Sequence, residues 1–475
     1  MRALQVFAWS ATSNLRTGVA SRVGYCSLPL ILGLALAGFC MPAASRDRPQ
    51  TDSVSIKRYL FSKDAFADVQ DELKARGVSF AQVPMEPSPG HGTTSAGVDA
   101  GGIQTPYVVE NVRGRFHVYG QYGRPQQPSA ALPYVTQEVV FESPNPAVAP
   151  VGTLSYPFAG GVYPAVVLLA GTGPHDRDGG MSLHKTLLVL ADHLTRQGFA
   201  VLRYDKRGVG LTGGQRHPGS TTDDYVADAL AAIRFLQIQP NVDPGRIGIV
   251  GHSEGGIIAA MVAAEAPDEV GFIVMLGGTG LPGIDVKSLQ DAAMRRADGM
   301  SDSLIEMNRW QERELYEISA SNLDHGQAID AMTKATNALP ADVKSTLGIP
   351  AEGIPVEAFE DLLSPWFRRF LAIDPSAYLK KVRCPVLALG GSKDLQVTAS
   401  ENLEAIRKAL AIAGNPKSRV VLLTGINHNL QTSRTGKPSE YFQIEETVGR
   451  PVLNQLSTWL GSVAGQSEIR IVESD

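Results

Sequence analysis

The sequence predicts an α/β fold with a mostly parallel central sheet and helices on both faces. From about residue 134 onward, short apolar runs of strand length alternate with longer runs that have helical periodicity. This alternation is typical of a parallel sheet built from strand–helix units. Two of the runs, 163–170 and 270–276, are almost entirely apolar, as expected of strands that are buried on both faces.

The elements of this fold can be assigned in chain order. An antiparallel pair is expected to open the sheet, and the predicted strands are 135–142, 151–156, 163–170, 199–205, 247–250, 270–276, 384–390 and 418–424. Helices are predicted over 182–197, from Thr221 or Thr222 to about 237, directly after Ser253, and over 399–413. Between 281 and 380 the alternation is interrupted, and four helices are predicted over 288–297, 301–319, 327–338 and 356–371.

Length, charge and the first residues set the domain organisation. The chain has 475 residues, a net charge of -5 and no long basic run, so nothing in it favours nucleic-acid binding. Residues 1–45 have the pattern of a signal peptide, with an apolar run over 28–39 followed by the small residues Ala43, Ala44 and Ser45. The run is short for a transmembrane helix. We therefore expect an exported, periplasmic or secreted protein with no stable membrane span, and a retained anchor is the alternative.

The remaining boundaries follow changes in composition. Residues 46–131 are an N-terminal region to which no chemistry can be assigned, with a helix expected over 62–76, a loop over 85–102, strands over 107–112 and 115–119, and a linker over 125–133. The α/β domain covers 132–463, its helical insertion covers about 281–380, and 464–475 form a C-terminal tail. His91 and His117 stand alone rather than at metal-ligand spacing, and we predict no metal.

The nucleophile is predicted at Gly251-His252-Ser253-Glu254-Gly255. This G-x-S-x-G motif follows a β-rich run and precedes an Ala-rich helix, which is the context of a nucleophile elbow, where a strained turn exposes the serine hydroxyl. Gly251 and Gly255 are expected to be glycines for steric reasons. A purely structural glycine-rich turn is the alternative. We reject His252 as the catalytic base because it directly neighbours the serine.

The acid and the base are predicted downstream of the last two core strands. Asp394 follows the strand at 384–390, and His428 follows the strand at 418–424. Serine, acid and histidine in this chain order, each after a separate buried strand, are the arrangement of an α/β catalytic triad. Each residue taken alone could be an ordinary loop residue.

The loop after the strand at 163–170 is the predicted source of an oxyanion hole. It reads Gly171-Thr-Gly-Pro-His-Asp-Arg-Asp178 and should emerge at the carboxyl edge of the sheet, where ligands bind. We expect the N–H groups of Thr172 and Glu254 to be the donors, with Gly171 as the fallback. The charged residues 176–178 are expected to brace the loop rather than to bind substrate.

The helical insertion is predicted to act as a lid or cap over the catalytic edge. Trp366, Phe367 and Phe370 are candidates to line an acyl pocket. Aromatic residues at this spacing more often pack a helix against the core, and that interpretation is preferred.

These motifs resemble the α/β-hydrolase superfamily, and more closely its bacterial serine esterases and serine-aminopeptidase-like hydrolases. The resemblance covers about 134–463 and rests on the segments 171–178, 205–210, 251–256, 364–368, 391–394 and 427–431. It implies an α/β-hydrolase fold and hydrolysis of small carboxylic esters without a metal or organic cofactor.

The expected reaction is acyl transfer through an acyl-enzyme on Ser253, with His428 as base and Asp394 orienting it. A peptidase or amidase would use the same residues. An acyl thioesterase and a catalytically silent ligand-binding homologue are the further alternatives. The natural substrate and the oligomeric state stay open.

Overall fold

The computed structural model describes the backbone of residues 55–56, 79–80, 93–100, 103–112, 115–119, 124–128, 132–158, 160–182, 184–415, 417–441 and 443–464. The predicted signal peptide, the predicted helix over 62–76 and residues 465–475 lie outside these ranges. Among the helices within them, none combines the length and the hydropathy needed to cross a lipid bilayer.

The N-terminal region contains a five-stranded sheet with the order β2-β1-β3-β4-β5. Its strands are β1 (Ser55–Ile56), β2 (Ser79–Phe80), β3 (Thr93–Ala100), β4 (Ile103–Val112) and β5 (Arg115–Tyr119). The strands expected over 107–112 and 115–119 are confirmed. The loop expected over 85–102 is wrong for 93–100, because β3 pairs along its length with β4, and such pairing overrides a weak local preference.

The main sheet has eight strands in the order β15-β14-β13-β12-β8-β11-β7-β6. From β15 to β11 all neighbours are parallel, whereas β7 and β6 are antiparallel additions at one edge. This confirms the predicted mostly parallel sheet with an antiparallel opening pair. The strands from β6 on, including the short β9–β10 hairpin, are β6 (Val135–Val140), β7 (Val151–Tyr156), β8 (Tyr163–Leu169), β9 (Gly180–Met181), β10 (His184–Lys185), β11 (Ala200–Tyr204), β12 (Val242–His252), β13 (Phe272–Leu276), β14 (Val386–Gly391) and β15 (Arg419–Leu423).

Helices lie between many of these strands, and two more follow the last strand. They are α1 (Thr186–Arg196), α2 (Thr222–Gln237), α3 (Glu254–Glu265), α4 (Gly283–Ala297), α5 (Asp302–Ala320), α6 (His325–Asn337), α7 (Ala341–Leu347), α8 (Pro365–Ala372), α9 (Pro375–Leu379), α10 (Ala399–Ala413), α11 (Pro438–Tyr441) and α12 (Arg450–Val463). The helix expected over 182–197 begins only at Thr186, since the preceding residues form the β9–β10 hairpin.

A buried core lies on each face of the main sheet. Alternate residues of β8 belong to different cores: Ala165 and Val167 face α2, α3 and α10, whereas Val166 and Leu168 face α1 and α12. This two-sided burial explains why the strand is apolar throughout. Both faces are therefore covered by helices, and the carboxyl ends of the parallel strands are the edge at which loops can build a site.

The helical insertion lies between β13 and β14. Three of its predicted helices correspond to α4, α5 and α6, and α7 was not predicted. The single helix expected over 356–371 is wrong, because the chain forms two 3₁₀ turns, Val356–Ala358 and Asp361–Leu363, before α8. Pro365 explains the break, since proline disfavours a helical residue before it and suits the first position of a helix. Ser364 caps α8 by accepting from the N–H of Phe367.

Candidate active site

Ser253 occupies the sharp turn between β12 and α3. Its backbone has a positive φ of 55° with ψ −119°, which is costly for a residue with a side chain and marks a strained functional turn. A Cβ on Gly251 would lie 2.0 Å from the Gly255 carbonyl oxygen, and one on Gly255 would lie 2.5 Å from that of Leu169. Both positions therefore need glycine. At Gly251 a side chain would collide across the turn, whereas at Gly255 it would collide with the backbone of β8.

The structure brings Ser253, His428 and Asp394 together. The Oγ of Ser253 lies 3.1 Å from Nε2 of His428, and Nδ1 of His428 lies 2.8 Å from Oδ2 of Asp394. Since a carboxylate only accepts, Nδ1 carries the proton and leaves Nε2 free to accept the serine proton. All three residues lie at the ends of core strands, as the parallel sheet requires.

Backbone hydrogen bonds hold the carboxylate of Asp394 in place. Its Oδ1 accepts hydrogen bonds of 2.8 Å from the backbone N–H groups of Gln396 and Val397, so Oδ2 is left to face His428. The carboxylate is buried, with only 5% of the residue exposed. These contacts hold the imidazole in one orientation and one tautomer.

His252 does not take part in this relay. Its Nε2–H donates a 2.8 Å hydrogen bond to the backbone carbonyl of His428, and burial lowers the pKa of His252 to about 4. The residue therefore stays neutral near neutral pH and supports the loop that carries His428. The choice of His428 over His252 as the candidate base agrees with this geometry.

The loop that follows β8 reaches the nucleophile. A Cβ on Gly171 would lie 3.0 Å from the Cβ of Ser253, so Thr172 is close to the reaction centre. The backbone carbonyl of Thr172 accepts a 2.8 Å hydrogen bond from Nε2 of His175. Among the described residues, the Thr172 N–H makes no hydrogen bond to a backbone carbonyl.

The charged end of this loop is a brace. Arg177 forms a two-pronged contact with Asp205 and also reaches Glu138, and Asp178 pairs with Arg203 and Lys185. These ion pairs confirm for Arg177 and Asp178 the expectation that the charged residues stabilise the loop, and Asp176 contributes by accepting from the N–H groups of Asp178 and Gly180.

Lys206 and Glu254 form a buried ion pair that the sequence analysis missed. Nζ of Lys206 lies 3.4 Å from Oε2 of Glu254, and their side chains are 8% and 0% exposed. Burial alone would raise the pKa of Glu254, but the Lys206 ammonium, the Trp366 indole and the Thr222 hydroxyl bring it below its usual value. Burial lowers the pKa of Lys206 against the opposing effect of Glu254. The motif at 205–210 was a signal for this pair, although it does not show what the lysine contacts.

The three aromatic candidates differ in their surroundings. Trp366 and Phe367 are fully buried in the core, and Phe370 stacks on Trp366 with ring centroids 5.1 Å apart. The indole N–H of Trp366 donates to Glu254. Packing of the insertion onto the core, the preferred interpretation, therefore describes Trp366 and Phe367.

Comparison with known proteins finds one matching family model and a similar esterase. Residues 179–333 match the family model described as serine aminopeptidase, S33. Esterase EstD of Thermotoga maritima is 25% identical over 327 residues, an alignment that covers 65% of this chain and 65% of EstD. The chain thus spans a little less than two thirds of that relative.

Solved structures that the chain resembles include an esterase of Pyrococcus furiosus, with 16% identity, a TM-score of 0.42, and coverage of 73% of this chain and all of that one. A puromycin-hydrolyzing peptidase of Mycobacterium tuberculosis has 18% identity, a TM-score of 0.45, and coverage of 83% of this chain and 48% of that one.

The main sheet places the candidate residues in a recognisable arrangement. Its parallel strands carry a serine on a strand-to-helix turn and present an aspartate and a histidine from the following strand ends. With this architecture, the chain has the α/β-hydrolase fold.

Proposed function

We propose that this protein hydrolyses small carboxylic esters through an acyl-enzyme intermediate on Ser253. The observation that supports this most directly is the continuous hydrogen-bond chain from the Ser253 hydroxyl through His428 to Asp394. Such a chain raises the nucleophilicity of a serine, which is weak on its own.

The proposed reaction has two steps. Ser253 Oγ attacks the acyl carbon while its proton passes to Nε2 of His428, and the ester C–O bond then breaks as His428 protonates the leaving alcohol. A water molecule next gives a proton to His428 and attacks the acyl-enzyme, and the acid leaves as the proton returns to Ser253. Asp394 stabilises the imidazolium in both steps.

The oxyanion is proposed to be held by the N–H groups of Thr172 and Glu254. Helix α3 begins at Glu254, directly after the nucleophile, so its N-terminal dipole also favours negative charge at this point. The name of EstD favours the ester reading, whereas the description of the matching family favours a peptidase. Both would use the same residues.

Burst kinetics with p-nitrophenyl acetate and butyrate would test the proposal, with an aminoacyl p-nitroanilide as the competing substrate. We expect an ester burst that disappears in Ser253→Ala, together with negligible anilide turnover. Strong anilide turnover would move the assignment to a peptidase. A folded protein with no Ser253-dependent activity on either substrate would contradict hydrolysis.

A matched control exists within the chain. Oγ of Ser457 lies 2.7 Å from Nε2 of His193. This serine–histidine pair lies between α1 and α12, on the face of the sheet opposite to α3. Ser457→Ala should leave the ester burst unchanged. This result would show that the loss of the burst in Ser253→Ala is not a general effect of removing a serine that contacts a histidine.

A further inference from the structure

Lys206 is buried directly beside the predicted oxyanion loop. Its Nζ donates a 2.9 Å hydrogen bond to the backbone carbonyl of Gly171, lies 3.4 Å from Glu254 and sits 3.9 Å from the ring centroid of Tyr225. A buried ammonium is expensive unless it is paired and its three donors are satisfied. A carbonyl, a carboxylate and an aromatic face together meet this requirement.

The carboxylate partner is itself held in place. Oε1 of Glu254 accepts from the hydroxyl of Thr222 at 2.9 Å and from the indole N–H of Trp366 at 2.7 Å. Oε2 is thereby left to face the ammonium. The contact with Glu254 consequently holds the Lys206 side chain in place beside the Gly171 carbonyl.

The contact with Gly171 controls the direction of a neighbouring N–H group. In a trans peptide the C=O and the following N–H point in opposite directions. A Gly171 carbonyl that is held towards Lys206 therefore turns the Thr172 N–H away from it. Lys206 makes a second hydrogen bond to this loop, because its backbone N–H donates to the carbonyl of His175 at 3.1 Å.

We propose that Lys206 is a positioning residue, which orients the Gly171–Thr172 peptide so that the Thr172 N–H faces the developing oxyanion on Ser253. The inference rests on the proposed esterase function. Without Nζ, the peptide loses the contact that sets its direction, and a donor that is misaligned contributes as little as one that is absent. Removal of one oxyanion donor typically lowers kcat by ~10²–10³.

The first test compares Lys206→Met with the wild type on p-nitrophenyl butyrate. We expect kcat to fall about 100-fold while KM changes less than about threefold, because the donor acts on charge that develops in the transition state. The inhibition constant of butylboronic acid, which forms a tetrahedral adduct on the serine, should rise in parallel with the loss of kcat/KM. If Lys206 only stabilised the fold, the loss of kcat/KM and the rise of the inhibition constant would not be proportional.

The matched control is Lys287→Met. Lys287 pairs with Asp291 in α4 and lies near the ring of Tyr316, so it reproduces the buried lysine, carboxylate and tyrosine away from the oxyanion loop. Its loss should lower stability and leave kcat and boronate affinity unchanged. Equal losses of kcat in both variants would overturn the proposal.

Lys206→Met leaves the Glu254 carboxylate buried without its counter-ion, so the double variant Lys206→Met, Glu254→Gln provides a neutral version that retains the acceptor for Trp366 and Thr222. The same loss of kcat and of boronate affinity is expected. A KM increase at constant kcat, or a kcat within threefold of the wild type, would overturn the positioning role. Failure of the proposed function is distinguishable, because the wild type itself would then show no ester burst.

Discussion

The indole N–H of Trp366 donates a 2.7 Å hydrogen bond to the carboxylate of Glu254. Trp366 belongs to α8 of the helical insertion, whereas Glu254 directly follows the candidate nucleophile. The insertion is thus connected through one buried contact to the residue whose N–H is a proposed oxyanion donor. Anything that moves α8 will disturb a buried charge beside the reaction centre.

The first prediction concerns this contact. Trp366→Phe keeps an aromatic ring but removes the donor to Glu254, and a lost hydrogen bond to a buried charged group costs about 1.5–3 kcal/mol. We expect the free energy of unfolding in urea to fall by that amount. Trp459→Phe, at an equally buried tryptophan that packs against Phe272, is the control. Equal losses in both variants would mean that ring volume alone matters.

Asp394→Asn is expected to lower kcat for p-nitrophenyl esters by ~10⁴, because a neutral amide neither stabilises the imidazolium nor fixes the tautomer of His428. The thermal midpoint should change little, since the amide oxygen can still accept from Gln396 and Val397. Asp243→Asn, at a carboxylate that accepts from Gly245 and pairs with Arg246, should keep full activity. A decrease of less than tenfold in Asp394→Asn would contradict the assignment of the acid.

Gly251→Ala is expected to destabilise the fold by about 3 kcal/mol or more, because the new methyl group would meet backbone atoms of the next turn. The measurement is soluble yield together with the unfolding midpoint. Gly245→Ala is the control, since its nearest neighbour would be a side-chain oxygen of Asp243 at 3.4 Å. A Gly251→Ala protein of normal stability would show that the turn can relax.

The unfolding free energy should decrease as the pH falls below about 6.5. Burial lowers the pKa of His217 to about 3 from its usual value of 6.5, so between these values the unfolded chain binds a proton that the folded chain does not. Stability from this group is complete above pH 6.5 and is lost on acidification, by about 1.4 kcal/mol per pH unit. His217→Phe should flatten the pH dependence of urea unfolding by that slope. An unchanged slope would contradict a buried neutral imidazole.

The sequence predicted the succession of core strands and helices along the chain. It also placed the candidates Ser253, Asp394 and His428 after separate strands, and the structure brings these three side chains within hydrogen-bond distance. Strands buried on both faces, such as β8 and β13, are apolar throughout, and the loops after them lie at one edge of a parallel sheet. Chain order therefore determines which side chains can meet. Ser253, Asp394 and His428 are recognisable because their chemistry depends on residue type and on position after a strand.

Other features depend on contacts that local sequence does not contain. Lys206 reads as a turn residue, and its burial is set by Glu254, Tyr225 and Gly171, which come from three separate parts of the chain. The strand β3 was missed for a similar reason, since its pairing with β4 outweighs a loop-like composition. Pro365 marks the break before α8, whereas the helical spacing over 356–371 favours one continuous helix.

The helical insertion leaves and rejoins the core at nearly the same point. The backbone N–H of Gly283 donates a 2.9 Å hydrogen bond to the carbonyl of Ile373, and a Cβ on Gly283 would collide with the carbonyl of Phe370. Residues 283–373 are therefore a cassette with adjoining ends, whose loops can lengthen or shorten without altering the strand register. Exchange of this cassette can leave the contacts among Ser253, His428 and Asp394 intact, provided that each replacement supplies a donor for the carboxylate of Glu254.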